Sequence, residues 1–160
     1  MTRFRGIYRR VRQVLYYLCA RPSPEDLRRA ARLLPPALYG IFLRMTASDQ
    51  AHGARVANRL ARLSAPDQVL TAAYLHDAGK PPDYGLGWRC AMVAFPGDPP
   101  EAEPPAGSPL GRARQTYHHH ARRAAAAIAA AGGSPETIAL VEGLAGTPWL
   151  AEFERADDEG

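Results

Sequence analysis

Three places in the chain carry side chains that could together bind a metal ion. An isolated histidine stands at His52, a histidine and an aspartate are adjacent at His76-Asp77, and a further aspartate stands at Asp157. Imidazole nitrogens and carboxylate oxygens are both ligands of divalent first-row metals. A His-Asp dipeptide alone is weak evidence, because such pairs occur by chance in many proteins.

The distribution of lysine and histidine strengthens the His76-Asp77 pair as a candidate site. Lys80 is the only lysine among the 20 basic residues of the chain. The five histidines fall at only three places, namely His52, His76 and the run 118–120. In a chain that prefers arginine and has few histidines, the only lysine and one histidine therefore stand close to the same aspartate, Asp77.

Length and composition favour one globular domain. A chain of 160 residues, 46% hydrophobic and 22% charged, can bury a sizeable core. Cys19 and Cys90 are far apart and lack metal-site spacing, which favours a reducing, cytoplasmic location. Apolar runs stop well before about 18 residues, so neither a membrane span nor a signal peptide is expected. The oligomeric state stays open.

The positive charge is concentrated near the N-terminus. Nine arginines fall within the first 32 residues, against only Glu25 and Asp26. Such a surface could attract nucleic acid, anionic lipid or a phosphorylated ligand. The alternative, which we favour, is a solvated helix face in an arginine-rich protein. Nucleic-acid binding through these arginines therefore ranks last among the functions considered.

The apolar spacing predicts helices throughout the chain. Nothing alternates as a sheet would require, which predicts an all-α fold. Helices are expected from residue 7 to 18, from the cap Ser23-Pro24, from 37 to 45, and from 49 to 63 with Val56, Leu60 and Leu63 buried. Further helices are expected from 64 to Gly79, from 112 to 131, from Ser134 and from 148, with a loop over 97–111. Residues 86–95 could form a buried helix or a strand, and we favour the helix.

The candidate ligands fall on different predicted helices. One helix alone cannot surround an ion, but helices that meet in a bundle can supply ligands together. Two imidazoles and two carboxylates suit one divalent ion of Mn, Fe, Co, Ni or Zn, with Mg as a further candidate. The sequence does not choose among these ions.

The same residues resemble the HD-domain superfamily of metal-dependent phosphohydrolases. Residues 73–81, AYLHDAGKP, are similar to the family's "LLHDIGKP" signature, and residues 51–57 resemble its first-histidine helix. Residues 154–158, ERADD, resemble the ending that supplies the last carboxylate, and residues 119–125 resemble the "HHPELGA" stretch of some members. The resemblance covers about residues 48 to 158.

The resemblance implies an HD-like helical bundle in which residues 48–160 form the metal-binding domain. The basic N-terminal helical region, 1–47, lies outside the matched part and is expected to pack on this core. The resemblance also implies hydrolysis of a phosphate ester or anhydride, with a phosphorylated small molecule such as a nucleotide as substrate. One metal ion would be held by His52, His76, Asp77 and Asp157. Asp77 and Lys80 would be catalytic, Asp77 by orienting water. Phosphate contacts would come from Lys80, Arg55, His120 and Arg122.

One departure from the family pattern leaves alternatives open. Members with two metals carry further histidines in a later segment, whereas residues 138–144, IALVEGL, contain none. A second metal near His120 is therefore doubtful, and His118 and His119 are as readily solvent-facing as functional. The alternative function is an HD domain with weak or no catalysis that binds a nucleotide or a partner protein.

Overall fold

The structure is a computed structural model that describes residues 20–81, 84, 87–88, 91–92 and 108–159. Within these residues seven helices can be followed from end to end and there is no β-strand, so the all-α prediction is confirmed. The helices are α1 (Pro24–Leu33), α2 (Pro36–Arg44), α3 (Ala47–Arg62), α4 (Asp67–Leu75), α5 (Pro109–Ala130), α6 (Pro135–Glu142) and α7 (Leu150–Asp158).

Most of the helices begin where a side chain caps the first turn. Ser23 and Asp26 form a reciprocal capping box at α1, and the hydroxyl of Ser134 accepts the amide of Thr137 at α6. Thr46 and Ser108 cap α3 and α5 in the same way. Proline follows directly at the start of α1, α5 and α6, where its missing N–H costs nothing.

The core lies around α4, whose residues 71–75 are all buried. Helices α3 and α6 pack on α4, α5 packs on α6, and α7 packs on α3. Helices α1 and α2 also contact α4. The largest fully buried side chains on these helices are Phe42, Val56, Leu60, Leu75, Ile128 and Leu140. The buried centre of the bundle therefore extends to the His76-Asp77 pair.

Two close backbone contacts depend on glycine. A Cβ on Gly53 of α3 would lie 2.9 Å from the carbonyl oxygens of Ala73 and Tyr74 on α4. A Cβ on Gly79 would collide with the carbonyl oxygen of His120 on α5. The absence of these side chains lets α3 and α5 approach the His-Asp turn from two sides.

The structure also corrects details of the sequence predictions. Leu63 was predicted to be buried, which is wrong: it follows α3 and is 57% exposed. The helix predicted to reach Gly79 ends at Leu75, so that His76 caps it and residues 77–79 form a turn. Helix α5 begins at Pro109, three residues earlier than expected.

Several predictions fall on residues outside those described. The helix over 7–18, most of the segment 86–95 and the loop up to residue 107 are among them. Residues 87–88 and 91–92 are helical, as expected. Within the described part of the chain, none of the helices has the length and apolar character needed to cross a bilayer.

Candidate metal centre

Side chains from three separate parts of the bundle converge on one point. His52 lies in the middle of α3, His76 directly follows α4, and Asp157 lies near the end of α7. One possible ligand atom from each lies within 4.8 Å of the others. His52, His76 and Asp157 are called the ligand group below.

The ring of His76 is oriented by the backbone of α4. Its Nδ1 lies 3.0 Å from the carbonyl oxygen of Ala73. Since a carbonyl can only accept, Nδ1 carries the proton and donates it. Nε2 then faces the other two members of the ligand group. It is buried and has no well-formed hydrogen bond to any described residue. A buried imidazole nitrogen oriented in this way is typical of a metal ligand.

Asp157 connects the two histidines. Its Oδ1 lies 2.7 Å from His52 Nε2 and 3.3 Å from His76 Nε2. Burial tends to raise the pKa of Asp157, but its hydrogen bond with His52 and its close contact with His76 outweigh burial and lower the pKa well below its usual range. Asp157 is therefore a carboxylate at any physiological pH.

The spacing of these atoms fits an ion, with one adjustment. Ligands about 2.1 Å from an ion and separated by 90° to 110° lie about 3.0 to 3.4 Å from each other. The 3.3 Å between His76 and Asp157 falls in that range. The 2.7 Å between His52 and Asp157 is a hydrogen-bond distance. An ion bound by both would have to move these two side chains apart by a few tenths of an ångström.

Asp77, the fourth predicted ligand, lies beside this group and is paired with a cation. Its Oδ1 forms an ion pair with Nζ of Lys80 and lies 3.6 Å from His76 Nε2. The side chain is only 4% exposed. Burial alone would raise the pKa of Asp77, but Lys80 and the neighbouring histidines lower it well below its usual range.

His120 approaches Asp77 from α5. Its Nδ1 donates to the carbonyl oxygens of Thr116 and Tyr117, at 3.2 and 3.0 Å, and its Nε2 lies 3.9 Å from Asp77 Oδ1. Burial and the charge of Lys80 lower the pKa of His120. A neutral His120 would present a free lone pair to whatever occupies this space.

An open pocket of about 200 Å³ lies against the ligand group. His76, His120 and Asp157 form its polar floor, and side chains of α6 and α7, including Phe153, form an apolar wall. Glu142 and Glu154 also line it. Sequence reasoning missed both glutamates, although Glu154 stands three residues before Asp157, on the same face of a helix. This space is called the histidine pocket below.

The remaining predicted residues lie at different distances from the centre. Arg55 is on α3, one turn after His52, and is partly buried. Arg122 is exposed on α5 and is not among the described residues that line the histidine pocket. His118 packs edge-on against the ring of Tyr117, and His119 is partly buried. The structure thus brings together His52, His76, Asp77, Lys80, His120 and Asp157.

Comparison with known proteins gives no relative. No family model, no curated protein and no solved structure matches the chain. The geometry of the described residues is therefore the basis for any functional conclusion.

Proposed function

We propose that the protein is a metal-dependent phosphohydrolase of the HD type that acts on a phosphate ester or anhydride of a nucleotide. The observation that carries the proposal is the convergence of His52, His76 and Asp157 from three parts of the fold, with ligand atoms within 4.8 Å of one another. The order of these residues along the chain, and the sequence around His76-Asp77, also resemble that superfamily.

The chemistry available at such a centre is hydrolysis of a phosphoryl group. A divalent cation held there would lower the pKa of a bound water and offset negative charge on the phosphoryl oxygens. The Asp77 carboxylate would orient the attacking water, and the 3.6 Å between its Oδ1 and Nε2 of His76 supports this role. Lys80 brings a positive charge to the same carboxylate. Water would form a new P–O bond while the P–O bond to the leaving group breaks, and a proton released by the water would balance the negative charge on the leaving-group oxygen.

The apolar wall of the histidine pocket supports a substrate that is only partly exposed to solvent. Leu140, Val141 and Phe153 line this pocket, and Phe153 packs edge-on against the ring of His76. An apolar wall lowers the local dielectric constant and strengthens the interaction between cations and a phosphate. The glutamates on the same pocket would disfavour additional negative charge near α7.

Metal analysis and turnover together test the proposal. The purified protein should retain a divalent metal, and it should hydrolyse at least one member of a nucleotide panel when Mn²⁺ or Co²⁺ is added. His76→Ala should remove both properties. His118→Ala is the matched control, because that histidine lies on α5 outside the ligand group. A protein that binds no metal and shows no metal-dependent turnover would contradict the proposal.

A second candidate is a domain that binds a nucleotide or partner without hydrolysing it. The ion pair between Asp77 and Lys80 favours this candidate, because it engages the carboxylate that hydrolysis would need to orient water. In that case His76→Ala would leave nucleotide affinity largely intact. Binding of one nucleotide by both the original and the His76→Ala protein, with hydrolysis by neither, would favour the binding domain.

A further inference from the structure

A second and larger pocket is lined by Pro81, which directly follows Lys80, and by residues of α5. It has a volume of about 370 Å³, within the usual range for small-molecule sites, whereas the histidine pocket at about 200 Å³ is below that range. A nucleotide bound at the ligand group would therefore need space beyond the histidine pocket.

The lining of this second pocket suits a flat aromatic ring. Its lining includes Trp88, the buried Tyr84, two prolines, Arg112 and Arg123. Indole rings and guanidinium groups both stack on nucleobases. This space is called the tryptophan pocket below.

The linings of the two pockets come close to each other on α5. Thr116 lines the tryptophan pocket, and its carbonyl oxygen accepts a hydrogen bond from His120, which lines the histidine pocket. The two residues are one helical turn apart, about 6 Å along the helix axis. Pro81, which also lines the tryptophan pocket, directly follows Lys80. A nucleotide is long enough to reach from one lining to the other.

The charges of the two pockets differ in sign. The histidine pocket has Glu142 and Glu154 among its lining residues, whereas the tryptophan pocket has two arginines and no acidic residue among those described. An anion arriving from solvent would be attracted to the tryptophan pocket first. The positive charge of a metal ion is needed to draw a phosphate onward into the histidine pocket.

We propose that the tryptophan pocket binds the base of a nucleoside monophosphate whose phosphate reaches Lys80 and the ligand group. The base stacks on Trp88, and Arg112 at the pocket wall supplies a second planar and positive surface. The inference rests on the proposed function, because the proposed function is what assigns the phosphate to the ligand group. It makes the tryptophan pocket the part of the protein that selects a nucleotide over a simple phosphate ester.

Tryptophan fluorescence can test base binding without turnover. The chain has two tryptophans, so Trp149→Phe leaves Trp88 as the only indole. The probes are adenosine 5′-monophosphate, adenosine and ribose 5-phosphate, each with Mn²⁺. We expect saturable quenching by the monophosphate and at least tenfold weaker binding of both fragments. If Trp149→Phe fails to fold, the difference between the original protein and Trp88→Phe gives the same signal.

The variants separate base binding from general charge. Arg112→Ala should weaken binding of the monophosphate at least fivefold, whereas Arg62→Ala, an exposed arginine at the end of α3, should not. Quenching by the monophosphate, together with no metal-dependent hydrolysis of any nucleotide in the panel, would support the pocket and overturn the proposed activity. Hydrolysis of the monophosphate with an unchanged KM in Trp88→Ala would overturn the pocket and leave the activity standing.

Discussion

One oxygen atom of the Asp77 carboxylate lies close to three other residues of the candidate site. Oδ1 of Asp77 is the ion-pair partner of Lys80, and it lies within 4 Å of imidazole nitrogens of both His76 and His120. A buried carboxylate is costly once its closest partner is removed, because its negative charge loses the nearest compensating cation. Lys80 therefore stabilises the metal-free protein, and a bound cation would take over part of that role.

Replacing Lys80 with methionine should make stability depend on metal. We expect Lys80→Met to lower the free energy of unfolding in EDTA by about 3 kcal/mol, since the Asp77 carboxylate stays buried. Added Mn²⁺ should restore much of the loss, whereas Lys80→Arg should behave like the original protein. Urea titrations with EDTA or Mn²⁺ measure this. Equal stability of Lys80→Met and the original protein in EDTA would show that the ion pair contributes nothing.

His76 should make the metal-free protein less stable as the pH rises. Burial lowers the pKa of His76, but the carboxylates of Asp77 and Asp157 outweigh burial and raise the pKa to about 9 from 6.5. The folded state therefore holds this proton more tightly than the unfolded state. The resulting stabilisation is complete below pH 6.5 and is lost as the pH rises through 9. We expect a fall of roughly 2 to 3 kcal/mol over this window in EDTA.

A bound metal should reverse the sign of this pH dependence. Protons and metal ions compete for Nε2 of His76, so stabilisation by Mn²⁺ should grow as the imidazole loses its proton. Urea titrations across the same pH window, with EDTA or with Mn²⁺, separate the two effects. His76→Gln removes the titrating group and should flatten both curves. A metal-free stability that rises from pH 6.5 to 9 would be incompatible with the raised pKa of His76.

At the scale of elements, the turn after α4 depends on its contact with α5. A Cβ on Gly79 would meet backbone atoms of His120 and Ala124, which cannot move aside as a side chain could. Since α5 carries His120 and lines both pockets, a displaced α5 would disturb the whole site. Glycine at this position is thus a requirement of packing.

Gly79→Ala should therefore destabilise the protein and weaken metal binding together. We expect a loss of at least about 2 kcal/mol in the free energy of unfolding, the range typical of overpacking a tight contact. Gly87→Ala is the matched control, because a Cβ there meets no described atom within 4 Å, and it should change stability by less than about 0.5 kcal/mol. Urea titration gives the stability and the Mn²⁺-induced shift of Tm gives the binding. If Gly79→Ala changes neither the free energy of unfolding nor metal binding, α5 can move to make room for the added methyl group.

The helices could be predicted largely because their ends are encoded locally. Ser23 and Ser134 each precede a proline that begins a helix, and both hydroxyls cap the first turn in the structure. Leu63 shows the limit of this reasoning. Its spacing continues the apolar stripe of α3, but the helix ends at Arg62 and the next residues turn away, so that Leu63 is exposed. Where a stripe stops depends on the neighbouring helix, which the local sequence does not specify.

The site could be predicted in outline only. The order of His52, His76-Asp77 and Asp157 indicated which residues should meet, and the structure brings all of them into one region. Two features depend on side-chain directions that spacing does not give. Oδ1 of Asp157 lies between two histidines, and Oδ1 of Asp77 pairs with Lys80.

At the scale of the whole molecule, α3 holds α1 and α7 through side-chain hydrogen bonds. Asn58 donates to Asp26 on α1 at 3.0 Å, and Arg59 donates to the carbonyl oxygen of Ala156 on α7 at 3.4 Å. His52 adds the 2.7 Å contact with Asp157, which is 105 residues away in sequence. A metal ion bound by the ligand group would strengthen this last connection and hold α7 to the rest of the bundle.

The two adjacent aspartates at the end of α7 allow a direct test of that connection. Asp157 contacts both histidines, whereas Asp158 is exposed. Mn²⁺ at about 100 times its dissociation constant should stabilise the original protein by about 2.7 kcal/mol and slow amide exchange most strongly in α7. Asp157→Asn has nearly the same shape without the negative charge, so it should lose most of both effects.

Asp158→Asn changes the net charge of the chain by the same amount and should keep both effects. Because the two variants have equal net charge, comparing them separates the effect of the position of the carboxylate from the general attraction between an acidic helix end and a cation. If the two variants respond to Mn²⁺ alike, the ion is bound outside the ligand group. If only Asp157→Asn loses the slowed exchange in α7, the ion joins α7 to α3 and α4, and the last helix becomes fully fixed only when metal is bound.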